Sequence, residues 1–214
     1  MEKKSLRMAY GEALVEFGKT HPDIVVLEAD LGKSTMSCLF KEAYPERYFE
    51  MGIAEQNMAT TAAGLALAGK IPFYSTFAVF AVGRAYDQIR CGIAIPEANV
   101  RICGSSCGLS DFGDGKTHQS IEDANIMCTM PNMTVLIPSD ATSTRWATKY
   151  AVDTYGPMYL RLSRDVYPDL YDENTKFECG KGAIVRDGTD VTVIACGILV
   201  HKALEAAEQM AARG

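Results

Sequence analysis

Residues 58–68 read Met-Ala-Thr-Thr-Ala-Ala-Gly-Leu-Ala-Leu-Ala, a stretch without one charge and dominated by small side chains. A helix of that composition admits close approach of other backbone and asks for burial on most sides. It is opened by an acid, Glu55, and broken by Lys70-Ile71-Pro72, after which residues 73–77 (Phe-Tyr-Ser-Thr-Phe) read as a short strand. Phe77 and Phe80 follow three residues apart, ahead of a polar, amphipathic run at residues 84–90. The stretch therefore carries one acid to the edge of an apolar, aromatic neighbourhood, where loss of water disfavours the charged form. A flat aromatic ligand with a hydrogen-bonding ring nitrogen fits both parts. A glutamate that only complements a helix dipole, beside two core phenylalanines, fits the same residues.

The flanking sequence alternates strand and helix patterns. Residues 6–18 repeat apolar positions at helical spacing and stop on Gly18. The continuous apolar run Ile24-Val25-Val26-Leu27 predicts a buried strand, followed by a polar loop at residues 28–35. Further strands are predicted at residues 48–51, 100–104, 134–138 and 157–162, with helices at residues 122–128 and 141–154, the last capped by Ser139 or Asp140. This alternation predicts an α/β domain, a mainly parallel doubly wound sheet covered on both faces. In such sheets ligands gather where loops leave the carboxyl ends of strands. A glycine-dense loop at residues 105–119 is long enough to suggest function.

Residues 165–182 shift in composition towards Asp, Tyr, Asn and Lys and read as a linker. A strand at residues 190–197 and an amphipathic helix at residues 199–213 follow. The boundaries this implies are a domain at 1–168, a linker at 169–184, and the first strand and helix of a second, incomplete α/β domain at 185–214. One strand and one helix cannot bury both their faces, so the chain reads as a fragment or as a subunit lacking its remaining domain. The net charge of −6, with no offsetting basic cluster, speaks against a nucleic-acid partner. No apolar run is long enough to span a bilayer and no signal-peptide core is seen at the start. Seven scattered cysteines without knuckle spacing read as reduced thiols in a cytoplasmic protein rather than as metal ligands.

The runs Gly52-Ile53-Ala54-Glu55-Gln56-Asn57-Met58, Ser75-Thr76-Phe77-Ala78-Val79-Phe80 and Arg84-Ala85-Tyr86-Asp87-Gln88-Ile89 closely resemble the pyrimidine-binding domain of transketolases, and the likeness extends over nearly the whole chain. The resemblance implies thiamine diphosphate as cofactor. In that chemistry the cofactor's aminopyrimidine removes the proton that creates its carbanion, and a protein carboxyl group at the far ring nitrogen makes this possible. The resemblance assigns that role to Glu55, and packing on the pyrimidine to Phe80 with Phe77. Gly113-Asp114-Gly115 looks like a metal–diphosphate motif, but it follows a loop, no Asn-Asn pair lies downstream, and Asn125 and Asn132 are too near. Asp114 instead matches the segment Asp-Gly-x-Thr-His, which implies contacts from Asp114 and His118 to sugar hydroxyls and a catalytic role for His118. Arg7, Ser34 and Arg164 match positions that hold a substrate phosphate. Ser106 stands where many transketolases have a further phosphate-contacting histidine, which opens the question of the acceptor.

No metal–diphosphate segment is present. The resemblance therefore implies a split enzyme. In it this chain is the carboxyl-terminal subunit, and a separate amino-terminal subunit holds the diphosphate with Mg2+ or Ca2+. The assembly would be a heterotetramer of two copies of each. The implied reaction is two-carbon ketol transfer between sugar phosphates. A β subunit of the 2-oxo acid dehydrogenases shares the Glu-Gln motif, and a deoxyxylulose-phosphate synthase shares the segments at residues 75–77 and 84–88. A non-catalytic regulatory homologue is the alternative from another class.

Overall fold

The strand expected at residues 24–27 forms at Ile24–Glu28 with every side chain buried, and its alternation separates two cores. Ile24 and Val26 face one apolar cluster with Leu6, Tyr10, Leu14, Phe73 and Leu160. Val25 and Leu27 face the other, with Met58, Ala62, Tyr74, Ile102 and Tyr159. The computed structural model describes residues 3–213. In chain order the elements are β1 (Lys3–Ser5), α1 (Leu6–Gly18), β2 (Ile24–Glu28), α2 (Gly32–Thr35), α3 (Cys38–Ala43), β3 (Tyr48–Glu50), α4 (Glu55–Leu67), β4 (Ile71–Phe77), α5 (Tyr86–Ile89), β5 (Arg101–Ser105), α6 (Asp123–Cys128), β6 (Thr134–Leu136), α7 (Ala141–Asp153), β7 (Met158–Arg161), β8 (Val166–Pro168) and α8 (Leu199–Ala211).

Six strands form one sheet in the order β3-β2-β4-β5-β7-β6, and every pairing in it is parallel. The expected doubly wound α/β architecture is therefore present. Helices α1 and α7 cover one face, while α4, α5 and α6 cover the other. The register places Glu28 opposite both Glu50 and Ser75, and Phe77 opposite Ser105. The carboxyl ends of β2, β3, β4 and β5 thus meet along one edge, where ligands collect in such sheets. Strands β1 and β8 pair antiparallel beside it.

Several local expectations hold for reasons visible in the contacts. Helix α7 starts on a capping box in which Asp140 Oδ1 accepts the Ser143 amide at 2.7 Å and Ser143 Oγ accepts the Asp140 amide at 3.1 Å. Helix α4 spans the small, uncharged stretch and buries Met58, Ala59, Ala62 and Ala63. Strand β4 begins at Ile71, two residues earlier than expected, and carries Pro72 at its second position opposite Val25. Gly104 has a strict steric role, because a Cβ there would lie 2.2 Å from the Tyr159 hydroxyl. That hydroxyl donates to buried Asp123 at 2.6 Å, and Arg161 adds two bonds to the same carboxylate at 2.8 and 3.0 Å. The cluster ties the exit of the glycine-dense loop to β7.

One expectation fails. Residues 190–197 do not form a strand; Val191, Val193 and Ile194 stand exposed. A strand needs neighbouring backbone to satisfy its amides and carbonyls, and among the described residues this segment finds a single such contact, the Gly197 amide donating to the Ile137 carbonyl at 3.1 Å. The helix predicted beyond it does form as α8, docked through the His201 ring nitrogen Nε2 at 2.8 Å from the Ser139 carbonyl. The His201 ring also stacks on Tyr167, with centroids 4.8 Å apart. Among the described residues no helix is long and apolar enough to cross a membrane.

Candidate functional site

Glu55 is the first residue of α4 and is almost wholly buried. Its carboxylate does not cap its own helix. Arg84 Nη1 donates to Glu55 Oε1 at 2.9 Å, and the same guanidinium lies 4.1 Å from the centroid of the Phe80 ring. Arg84 is partly exposed, whereas Glu55 is not. The burial expected for Glu55 is therefore real, but it is matched by a counter-charge that sequence reasoning did not assign to it. Phe80 and Arg84 are the two ends of a π-helical turn, Phe80–Arg84. Such widened turns recur at functional sites, and this one is held by Tyr74, whose hydroxyl donates to the Ala81 carbonyl at 3.0 Å. The i,i+4 spacing on a helical face was the available signal for the Phe80–Arg84 pair.

The aromatic set is as expected and gains a member. Phe77 and Phe80 lie 6.1 Å apart with rings 15° from parallel. His118 meets Phe80 edge-on at 5.2 Å and Phe77 at 6.1 Å. Its Nδ1 is 2.9 Å from the Thr117 hydroxyl. Together Ala29, Asp30, Leu31, Ile53, Glu55, Phe80, Arg84, Thr117 and His118 line a cleft of about 340 Å³, within the range of small-molecule sites.

Arg7, Ser34, Asp114 and Arg164, which the sequence places far apart, also meet. Arg7 Nη1 donates to the Ser34 backbone carbonyl, and Arg7 Nη2 donates to the Arg164 carbonyl at 3.5 Å. Burial, and then the neighbouring Arg164 charge, pull the Arg7 guanidinium below its ordinary value. Arg164 Nη1 reaches Asp111 Oδ1 at 2.5 Å and lies 3.7 Å from Asp114 Oδ2. Asp111 is fully buried, a fact with no signal in a polar, glycine-dense loop. Four buried polar atoms here have no hydrogen-bond partner: Arg7 Nε, Ser105 Oγ, Ser106 Oγ and Asp111 Oδ2. Ser106 also has φ +53°, an uncommon backbone state that gathers at functional sites.

The loop joining the two ends is pinned by carboxylates. Glu28 Oε2 accepts the Leu31 amide at 2.6 Å, and Glu50 Oε1 accepts the Asp30 amide at 2.7 Å. Burial pushes Glu28 up to about 8. The folded chain therefore keeps a proton that an unfolded carboxyl releases near 4.5. It binds more protons than the unfolded chain across that window, so stability declines as pH rises through it. The decline is at most about 1.4 kcal/mol per pH unit. Urea unfolding between pH 5 and 8 should show this slope in the wild type and its loss in Glu28→Gln; equal slopes would show that Glu28 ionises without penalty.

Comparison with known proteins gives matches over both parts of the chain. Residues 2–169 match the family description "Transketolase, pyrimidine binding domain", and residues 180–214 match "Transketolase, C-terminal domain". A putative transketolase C-terminal section from Methanocaldococcus jannaschii is 44% identical over 99% of this chain and 67% of its own length. The 6-deoxy-6-sulfo-D-fructose transketolase subunit SqwH of a Clostridium species is 40% identical over 100% of this chain and 66% of its own. Human transketolase is 41% identical over 97% of this chain. Among solved structures, one described as "Split gene transketolase, inactive beta4 tetramer" superposes with a TM-score of 0.89 at 48% identity, covering 100% of this chain and 69% of that one. The chain spans about two thirds of the length of these short relatives and a third of human transketolase.

Proposed function

Because the chain belongs to the transketolase family, as a C-terminal section with the pyrimidine-binding fold, we propose that it is the carboxyl-terminal subunit of a split transketolase that moves a two-carbon ketol unit between sugar substrates. The single observation that carries this reading is the posture of Arg84. A flat, nitrogen-bearing group lies on the face of Phe80 and donates to the buried Glu55 carboxylate. An aminopyrimidine ring would ask for the same face of Phe80 and for a hydrogen bond with Glu55, donated by the protonated carboxyl to the ring nitrogen, so the residues present fit thiamine diphosphate. When bound, that cofactor supplies a stabilised carbanion.

The chain's own residues do the rest. Glu55 holds a hydrogen bond at the far ring nitrogen, in a place screened from water by burial. Phe80, backed by Phe77, presents the packing face, worth about 0.5–1.5 kcal/mol beyond burial. Arg84 is half in solvent, so it would release Glu55 to the ring without becoming a stranded buried cation. His118, edge-on to Phe80, exchanges a proton with a substrate hydroxyl, and Asp114 binds a sugar hydroxyl. Arg7, Ser34 and Arg164 form the tail end of the site.

The diphosphate, with Mg2+ or Ca2+, belongs to an amino-terminal subunit, and two copies of each chain make the enzyme in the cytoplasm. Support comes from relatives described as a transketolase section and a transketolase subunit, of whose length the chain spans about two thirds. Further support comes from the split-gene relative whose β tetramer is described as inactive.

The test is reconstitution with an amino-terminal transketolase subunit. Hydroxypyruvate plus an aldose should give ketol transfer, while pyruvate plus glyceraldehyde 3-phosphate should give no product. Condensation from pyruvate would replace this reading with the deoxyxylulose-phosphate-synthase type.

A further inference from the structure

Two of the loops that line the cleft leave neighbouring strands. Ala29, Asp30 and Leu31 follow β2, while Ile53 and Glu55 follow β3. The ladder between these strands sets Glu28 opposite Glu50 and closes with the Met51 amide donating to the Glu28 carbonyl at 2.8 Å. Past that bond, among the described residues, the side chain of Glu50 joins the two exits. Its Oε1 accepts the Asp30 amide at 2.7 Å and the Gly52 amide at 3.2 Å. Both donors stand in left-handed backbone, Asp30 at φ +60° and Gly52 at φ +67°. Glycine takes that state freely, but an aspartate in it needs its surroundings to hold it there. A carboxylate oxygen shared by two amides does so.

The tie reaches the catalytic acid in one further step. Helix α4 has no side-chain cap at Ala54; the Ala54 amide donates instead to the Gly52 carbonyl at 2.8 Å. The residue that Glu50 holds therefore holds the N-cap of the helix that begins at Glu55. On the other loop, buried Glu28 accepts the next amide, that of Leu31, at 2.6 Å. We propose that Glu50 is a positioning residue, which locks the Asp30–Leu31 wall to the start of α4 and so sets where the cleft presents the Glu55 carboxyl. The inference rests on reading Glu55 as the acid of a sugar-transferring site. Glu50 is itself exposed, so its replacement should leave the fold intact.

The experiment compares Glu50→Ala with Glu50→Gln in the chain reconstituted with an amino-terminal transketolase subunit. Alanine removes the shared acceptor, whereas glutamine keeps an oxygen in nearly the same place. With hydroxypyruvate as donor and ribose 5-phosphate as acceptor, Glu50→Ala should lower kcat about 10-fold to 100-fold, the cost of a misplaced reacting group. Neither KM should move by more than about threefold. Glu50→Gln should stay within about threefold of the wild-type rate, because a neutral acceptor still makes the bonds. Hydrogen exchange read by mass spectrometry on the full chain follows the tie without turnover. Residues 29–31 and residues 51–55 should both exchange about tenfold faster in Glu50→Ala, and neither in Glu50→Gln. Faster exchange in one segment alone, or a kcat for Glu50→Ala within about twofold of wild type, overturns the proposal. So does a fall in rate matched by a fall in folded fraction, or an equal loss in Glu50→Gln. A wild-type pair without turnover, alongside faster exchange in both segments of Glu50→Ala, would sink the sugar-transfer reading and leave the tie standing. Normal wild-type turnover with unchanged exchange would sink the tie alone.

Discussion

Glu55→Gln should lower ketol transfer by the reconstituted enzyme about 100-fold to 10,000-fold, the range of a positioned proton-transferring group. Glutamine has nearly the same shape and still accepts a hydrogen bond from Arg84, so the loss isolates the carboxyl proton. Folding should be little changed. Arg84 is partly exposed and regains water when its partner is neutralised, so it does not become a stranded buried charge. The measurement pairs steady-state rates with urea unfolding of the same protein. Turnover above about a tenth of wild type would remove Glu55 from the mechanism. A fall in rate that tracks a fall in folded fraction would make it a structural residue instead.

Arg101→Met should give the largest loss of stability, about 3–5 kcal/mol, because several buried carbonyls lose their donor at about 1–3 kcal/mol each. Among the described residues Arg101 is the largest fully buried side chain, and no carboxylate pairs with it. Its guanidinium instead donates to the carbonyls of Ala151, Gly156 (2.6 Å) and Thr154 (2.7 Å) and to Asn99 Oδ1 (2.7 Å). Ala151 and Thr154 belong to the last turn and C-cap of α7, where carbonyls lack helical partners and the helix dipole is negative. The arginine is thus the cap of α7 and the seat of β5 at once. Methionine leaves those carbonyls buried and unpaired, and the unfolding midpoint should fall by roughly 10 °C. Arg101→Lys should recover only part of this, because an ammonium cannot span the fork. Arg101 lies at the start of β5, at the end of the sheet away from the cleft. Rate per folded molecule should therefore stay at the wild-type level. A loss below about 1 kcal/mol would show that water can replace the guanidinium.

Burial and charge pairing were legible to different degrees. Ile24–Leu27 could be read as a buried strand because four apolar residues in succession leave no polar alternation, whereas Glu28, placed in the loop by its charge, proves to be the strand's buried fifth residue. The Asp140 cap was legible because local backbone chemistry governs it. Helix α1 does end at Gly18, but in right-handed backbone, and packing requires the glycine there, since a Cβ would lie 2.7 Å from the Tyr44 ring. Residues 190–197 misled, since their apolar character signals a strand only where another strand lies alongside. Arg84 was visible within a polar run, yet its partner was not. The widened turn at Phe80–Arg84 sets where its guanidinium points. Asp111 has no signal of its own in the loop at residues 105–119, and only the fold shows it buried and paired with Arg164.

By itself the sequence determined a layered α/β fold with an acid and two phenylalanines at its heart, because periodicity, caps and turn residues act within a few positions. The tertiary structure alone decided which charges meet: Glu55 with Arg84 across 29 positions, and Asp111 with Arg164 across 53. Those meetings depend on how the crossovers bring strand ends together, and a long-range Coulomb contact leaves no period in the sequence to read.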